Sequence, residues 1–301
     1  MTASLIALAG TAAGHQLAVG LALMSALLHA IFGALQKGRH DPWLSRGAID
    51  ACYGLMAVPV AFLVVPWPEA RMWPIFAAAF VIHSAYKTAQ AMAYSRGAYT
   101  VVYPVVRGTA PLFAVLGAGV VFGEQFTALQ WLGVATLLTG IFGLAAYNLH
   151  HQAVGRAQMK VALAIAVLTG GLVASYTTLD AYGVRATADP FTFLAWFFMI
   201  DGLIFMPAIA VLRWRSLDAR PAVAPLMRRG FIGALVAFAS FGGIIMATRL
   251  DKVGEAAVLR ETSTVFAALI GWLLLKETTG VRRVMLMALI AAGAVIVETG
   301  G

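Results

Sequence analysis

Ten long apolar runs follow one another along the chain, separated by short segments that contain Pro, Gly or charged residues. Each run has about the 20 residues that a helix needs to cross the hydrocarbon core of a bilayer. Because their hydrophobicity is continuous rather than alternating, the runs predict α-helices and not the strands of a β-barrel. The runs cover residues 17–36, 47–66, 73–95, 100–121, 127–147, 160–182, 190–212, 230–249, 254–275 and 282–299.

Composition strengthens this interpretation. Of the 301 residues, 61% are hydrophobic and 11% are charged, whereas soluble domains carry about 25% charged residues. The two longest breaks between runs, residues 148–159 and 213–229, are too short to form a domain of their own. The sequence therefore predicts an all-α, multi-pass membrane protein with ten transmembrane helices and a lipid bilayer as its surroundings.

The net charge of +8 does not indicate a nucleic-acid partner. Most Lys and Arg residues lie in the short segments between apolar runs, where they act as determinants of membrane topology. Fourteen of them fall in or at the odd-numbered loops, and only Arg71, Arg185, Arg249 and Lys252 fall in the even-numbered ones. The positive-inside rule then places both termini outside the cytoplasm.

Internal repetition divides the chain into two halves. A shift of 153 residues, without gaps, superposes Arg107 on Arg260 and Glu124 on Glu277. Polar residues are costly near a bilayer, so several matches at one offset indicate a true repeat. The halves are 17–149 and 160–299, with five helices each. An odd number of helices inverts the second half, and inverted repeats in transporters enclose a substrate site near the midplane. The remaining matches are Ser95-Arg96 with Thr248-Arg249, Thr109 with Thr262, and Gly140 with Gly293.

Short motifs in both halves carry a family resemblance. The first half contains YSRGA at 94–98, VVRGTAPL at 105–112 and FGE at 122–124, and the second contains AAVLRETS at 256–263 and LKE at 275–277. These stretches resemble the drug/metabolite transporter superfamily, specifically its ten-helix EamA type.

The resemblance implies a secondary transporter in a bacterial inner membrane. It implies alternating access through a central cavity between the repeats, and export of small polar or amphipathic metabolites, with amino acids or related compounds as the first expectation. A YddG-like group of amino-acid exporters belongs to the same superfamily. No Walker loop occurs in the sequence, so transport would be passive or coupled to an ion, with protons as a candidate.

Two alternatives remain open from the sequence. One is a membrane-embedded enzyme that acts on a lipid or small metabolite, although the sequence contains no His-Glu-x-x-His pair, Gly-x-Ser-x-Gly elbow or Cys-x-x-Cys pair. The other is an importer of sugar phosphates or nucleotide-linked solutes from the same superfamily. No catalytic residue, cofactor or metal site is expected.

Lys87 is the leading candidate site residue. The third run places His83, Lys87, Gln90 and Tyr94 at spacings of four, three and four, which puts them on one face of a helix. An ammonium so deep in a membrane helix usually faces a bundle interior or a wet cavity. The functional hypothesis is a cation that binds a carboxylate or phosphate. The structural alternative is an ion pair with Asp180, Asp201 or Glu261.

Arg107 and Arg260 occupy equivalent positions about two turns inside the fourth and ninth runs. Either could neutralise substrate charge through bidentate hydrogen bonds, or snorkel to the interface or pair with a neighbouring Glu. Glu124 and Glu277 follow the same runs and favour a loop-ordering or capping role. Further cavity-lining candidates are His29, Tyr176, Asp180 and Ser240.

Overall fold

The computed structural model describes residues 2–36, 41–96, 99–150, 156–273 and 280–301. These ranges contain thirteen α-helices and no strand. The helices are α1 (Thr2–Ile6), α2 (Ala12–Gln36), α3 (Pro42–Leu63), α4 (Met72–Arg96), α5 (Tyr99–Phe122), α6 (Ala128–His150), α7 (Arg156–Ala186), α8 (Pro190–Leu203), α9 (Phe205–Arg215), α10 (Val223–Leu250), α11 (Val253–Arg260), α12 (Ser263–Leu273) and α13 (Val281–Thr299).

Seven stretches of the described residues are long and apolar enough to cross a membrane. The all-helical membrane fold is therefore confirmed, whereas the count of ten crossing helices stays a prediction. Helix α4 is not among the seven because His83, Lys87 and Gln90 lower its hydropathy. The seven stretches are Ala12–Gly33, Pro42–Leu63, Val102–Phe122, Ala128–His150, Met159–Ala186, Pro190–Arg215 and Val223–Leu250.

Two of the predicted continuous helices are broken. The run 190–212 divides into α8 and α9 at Ile204. Pro207 causes this break, because it has no N–H to donate and its ring crowds the carbonyl group four residues earlier. The run 254–275 divides into α11 and α12 at Glu261 and Thr262, where the Thr262 hydroxyl donates to the Leu259 carbonyl at 2.7 Å. A side chain that bonds to the backbone in this way competes with regular helix bonding.

Helix pairs that join the two halves of the chain form much of the packing of the bundle. Helix α2 packs against α10, and α4 packs against α7. Helix α5 packs against α7, and α2 packs against α11 and α12. Further large contacts join α3 to α8, α3 to α10 and α6 to α13.

Glycines bring α6 and α13 into backbone contact. A Cβ atom added at Gly140 would lie 2.7 Å from the carbonyl oxygen of Leu286, and one added at Gly293 would lie 2.6 Å from the carbonyl oxygen of Gly133. No side chain fits at either position without displacing backbone. Small residues commonly allow this kind of close approach between membrane helices.

The bundle is apolar outside and charged inside. Large apolar side chains such as Leu63, Val120 and Leu168 are exposed on its outer surface, where lipid would solvate them. Charged side chains are buried in the middle, among them Asp50 at 0% and Lys87 at 4% exposed. In a membrane protein, buried ionisable groups of this kind face the interior of the bundle and mark functional candidates.

Candidate functional site

Lys87 lies at the centre of a buried ionic network. Its Nζ atom contacts Asp50 Oδ2 at 2.6 Å and Asp201 Oδ2 at 2.8 Å, and lies 3.3 Å from the hydroxyl of Tyr53. That hydroxyl in turn donates to Asp201 Oδ2 at 2.5 Å. The network joins α3, α4 and α8.

Arg46 completes the charge balance of this network. Its Nε atom forms an ion pair with Asp50 Oδ1 at 2.7 Å, one helical turn away on α3. Two cations, Arg46 and Lys87, therefore face two carboxylates, Asp50 and Asp201. Each charge has an opposite charge beside it, as a low-dielectric interior requires.

A second ionic pair lies between α5 and the break in the α11–α12 segment. Arg107 Nε contacts Glu261 Oε2 at 2.9 Å. The Arg107 Nη2 atom also donates to Ser263 Oγ at 2.8 Å and to the backbone carbonyl of Arg260 at 3.3 Å. All three contacts hold the irregular segment after α11 against α5.

The third group is a histidine–carboxylate pair. His83 Nε2 lies 2.9 Å from Asp180 Oδ2, and both side chains are buried. The imidazole ring stacks on Tyr176 with 4.3 Å between the ring centroids. This pair joins α4 to α7 at the wall of a cavity.

Seven helices line a cavity: α2, α3 and α4 from the first half of the chain, and α7, α8, α10 and α11 from the second. The centres of water molecules can occupy about 70 Å³ of this cavity, which is enough for several waters. Its lining combines an aromatic wall with polar tips. The lining residues are His29, Phe32, Arg46, Tyr53, His83, Tyr86, Tyr176, Phe197, Phe198, Asp201, Ala237, Ser240, Phe241 and Arg260.

Arg260 differs from the other buried cations at this site. The described residues contain three Lys and Arg side chains that are less than 9% exposed, namely Lys87, Arg107 and Arg260. Lys87 and Arg107 have carboxylate partners, whereas no ion pair or hydrogen bond donated by the Arg260 guanidinium occurs within the described ranges. Its charged group lies 5.7 Å from the centroid of the Phe241 ring.

The structure separates the residues predicted from sequence into three groups. Those that line the cavity are His29, His83, Tyr176, Ser240 and Arg260. Those that are buried in ion pairs beside it are Lys87, Arg107 and Asp180. Gln90 does not line the cavity but donates to the Tyr86 hydroxyl at 2.9 Å, and the side chain of Tyr94 lies outside the described residues.

For Lys87, the structure has the arrangement of the ion-pair alternative. Of the three proposed partners, Asp201 contacts it, while Asp180 and Glu261 pair with other residues. The second partner, Asp50, is absent from the sequence-based candidates. The sequence could have indicated Asp50 in the same way as Lys87, because each is an ionisable residue within an apolar run.

Two further polar residues have structural partners. Ser240 donates from Oγ to the backbone carbonyl of Ser25 at 2.9 Å, which joins α10 to α2. Glu124 accepts hydrogen bonds from the backbone N–H groups of Val253 at 2.7 Å and Gly254 at 2.9 Å. It thus caps the N-terminus of α11, in agreement with the capping role that the sequence favours, and Glu277 lies outside the described residues.

An ionic cluster at one end of the bundle has ligand-type atoms close enough to hold a metal. His15, Asp251 and Glu255 each offer one such atom within 4.8 Å of the others. These atoms already have partners, however. His15 contacts Asp251 through Nδ1, and Lys252 Nζ lies 2.8 Å from Glu255 Oε1. The hydrogen bond to Glu255 raises the pKa of Lys252, so the cluster is explained as ion pairs.

A bundle with apolar outer faces, buried charges and a polar central cavity defines an integral, multi-pass membrane protein. Residues 160–299 match the model of the EamA-like transporter family. The match covers the second predicted half of the chain and agrees with the resemblance to the drug/metabolite transporter superfamily that the sequence motifs carry. Members of the family are transporters of small solutes.

The fold has counterparts among solved structures, and 28 chains match. One, described simply as a crystal structure of a protein, superposes with a TM-score of 0.74 at 16% sequence identity. The match covers 93% of this chain and 97% of that one, and at this identity it shows the fold alone. No curated protein sequence matches the chain.

Proposed function

We propose that this protein is a secondary transporter that exports small polar or amphipathic metabolites, with amino acids or related compounds as its substrates. The observation that carries the proposal is the central cavity, which is lined by both halves of the chain and contains a buried cation without a carboxylate partner, Arg260. Transporter sites are concave, largely apolar and placed between repeats.

The packing of the helices supports an inverted repeat as the basis of alternating access. A shift of 153 residues carries α2 onto α7, α4 onto α10 and α5 onto α11–α12. Under that shift the α2–α10 contact becomes the α7–α4 contact, and the α5–α7 contact becomes the contact of α11–α12 with α2. Helices α6 and α13 exchange places and contact each other, as expected beside a two-fold axis.

Individual backbone contacts follow the same relation. Gly140 approaches Leu286 and Ile290, while Gly293 approaches Gly133 and Leu137. The shift converts the first set of contacts into the second. With five helices in each half, 17–149 and 160–299, the axis would lie in the membrane plane.

Broken helices beside the cavity support a moving substrate site. Asp201 lies one turn before the α8–α9 break, and Arg260 is the last residue of α11. Interrupted helices at the midplane are the usual place for substrate and ion sites in transporters with inverted repeats. Here both breaks are in the second half.

Protons are the coupling ion that the site favours. His83 and Asp180 form a buried pair at the cavity wall, and an imidazole nitrogen and a carboxylate at hydrogen-bond distance can share and pass on a proton. Coupling would move the proton on and off this pair as the cavity changes the side to which it opens.

The alternative of a sugar-phosphate importer fits the charges less well. A phosphate monoester carries almost two negative charges at neutral pH, but the cavity has one buried cation without a carboxylate partner among the described residues. A membrane enzyme would need a nucleophile or acid–base pair at this cavity. Hydrogen-bonded pairs of this kind at the cavity include His83–Asp180 and Tyr53–Asp201.

Flux across a sealed bilayer tests the proposal. We expect the purified protein in liposomes loaded with amino acids, organic acids or sugar phosphates to release at least one amino acid faster than protein-free liposomes. A pH gradient should change the rate if protons are coupled. Chemical turnover of a solute by the protein in detergent, with no flux in vesicles, would favour the enzyme instead.

A further inference from the structure

We propose that Arg260 is the substrate anchor, and that it selects solutes with one carboxylate and an apolar body. The inference rests on the proposed function in taking the central cavity as the substrate site. It assigns to Arg260 the anion-binding role that the sequence had attributed first to Lys87.

The first argument is the charge of Arg260. Its side chain is 7% exposed, and its Nε atom is buried without a hydrogen-bond partner. The neighbouring carboxylate of Glu261 is occupied by Arg107 at 2.9 Å. A buried cation that no carboxylate contacts is unfavourable by itself, and an anionic ligand in the adjacent cavity would contact it directly.

The second argument is the balance of the other charges. Lys87 contacts two carboxylates, and one of these also pairs with Arg46. A carboxylate ligand beside Lys87 would therefore add a third negative charge to a neutral network. Beside Arg260, the same ligand would complete a neutral pair, so the anion belongs at Arg260.

The third argument is geometry. A guanidinium presents its N–H groups as a planar fork that matches a carboxylate with two parallel hydrogen bonds. One such cation balances one negative charge. The site therefore favours monocarboxylates over phosphate dianions, and it should not bind a solute that carries only a positive charge.

The cavity wall defines the rest of the solute. Phe197 and Phe241 stack with 5.3 Å between their centroids, and Phe198 lies against Phe241 at 6.0 Å. This wall continues from the ring that Arg260 overlies. An apolar side chain would pack there while its carboxylate contacts the guanidinium.

Asp201 provides a place for an amino group. It lines the same cavity, and its contacts with Lys87 and Tyr53 are all made by Oδ2. The Oδ1 atom has no partner within the described residues and is available to an ammonium group. An amino group there would donate a hydrogen bond but would also add a positive charge to the neutral network, so it would not be required for binding.

Binding measured in detergent tests the anchor without transport. Three probes share one apolar body, namely leucine, 4-methylpentanoate without the amino group, and isopentylamine without the carboxylate. We expect calorimetry to detect binding of leucine and 4-methylpentanoate. It should detect no binding of isopentylamine. Glucose 6-phosphate should bind more weakly than either carboxylate.

Variants assign the binding to one residue. Arg260→Gln should weaken binding of both carboxylates by about 10- to 100-fold, the range expected for a charged hydrogen-bonded contact. Arg260→Lys, which keeps the charge and loses the fork, should lie between. Arg228→Gln makes the same change at an exposed position on α10 and should bind like the unchanged protein.

The stability of ligand-free protein gives a second readout. Because Arg260 has no carboxylate partner, Arg260→Gln should unfold at the same temperature as the parent or higher. A variant that fails to fold, carboxylate affinity unchanged by Arg260→Gln, or binding of the amine equal to that of the acid would each overturn the proposal. Carboxylate binding in detergent without flux in vesicles would overturn the transporter function and leave the anchor standing.

Discussion

Arg107 donates a hydrogen bond of 3.3 Å to the backbone carbonyl of Arg260, the residue 153 positions later that the predicted internal repeat makes its counterpart. The two arginines have the same place in their halves and different partners. Arg107 has the carboxylate of Glu261, and Arg260 has the ring of Phe241. One repeated position has therefore become a structural ion pair and the other a cavity-lining cation.

This difference predicts opposite effects of one substitution on stability. Arg107→Gln leaves the buried carboxylate of Glu261 without its partner and should lower stability by about 3–5 kcal/mol. Arg260→Gln should not lower it. Thermal unfolding of both purified variants in the same detergent measures the contrast. Equal losses would mean that Arg260 also has a structural role.

Lys87 offers a test by compensation. Lys87→Met removes one of two cations that balance Asp50 and Asp201, and should destabilise the protein by about 3–5 kcal/mol. Adding Asp201→Asn leaves the Arg46–Asp50 pair neutral, so the double variant should recover part of the loss, and a double-mutant cycle measures the coupling.

Flux measured on the same Lys87 variants separates structure from binding. If Lys87→Met is as stable as the parent but no longer transports carboxylates, Lys87 is a substrate ligand, as the sequence first indicated. We expect instead that the loss of stability comes first. A folded Lys87→Met protein with normal flux would remove both roles.

The sequence predicts the helices well and their interactions poorly. Each apolar run falls on described helices, because burial in lipid imposes hydrophobicity along a helix, although α10 begins at Val223, well before its run starts at residue 230. The pairing of Lys87 with Asp50 depends on how α3 and α4 are packed, which periodicity along one helix does not contain. The α11–α12 break was missed because residues 254–275 contain no Pro to mark it.

The Gly140 and Gly293 contacts predict a symmetric pair of effects. Gly140→Ala and Gly293→Ala should each force α6 and α13 apart, and each should lower stability by about 1–3 kcal/mol as overpacking does. Gly20→Ala on α2, where an added Cβ would meet no atom within 4 Å, is the matched control. Thermal unfolding measures all three, and a harmless change at either α6 or α13 would contradict the close approach.

Glu124 should act as a helix cap. Glu124→Ala removes the acceptor for the N–H groups of Val253 and Gly254, and the loss of a helix cap costs about 0.5–2 kcal/mol. Hydrogen exchange at these two amides should become faster. Glu69→Gln, at an exposed carboxylate, is the control, and unchanged protection in Glu124→Ala would exclude the capping role.

Reporter fusions test the membrane orientation. The 14 basic residues in odd-numbered loops against four in even-numbered ones predict that both termini lie outside the cytoplasm. Many members of the superfamily are expected to have both termini inside. A C-terminal reporter that is active only in the cytoplasm should therefore give no signal, and one that is active only outside should give a strong signal. The reverse pattern would make the orientation prediction wrong.

The end of α11 at Arg260 gives the cavity a mechanical property. The guanidinium that lacks a carboxylate partner belongs to the last helical residue before Glu261 and Thr262, where the chain leaves one helical axis and starts another. A contact with that side chain acts on the break between two helices rather than on the middle of a continuous helix. An anion that binds Arg260 would therefore act on the angle between α11 and α12.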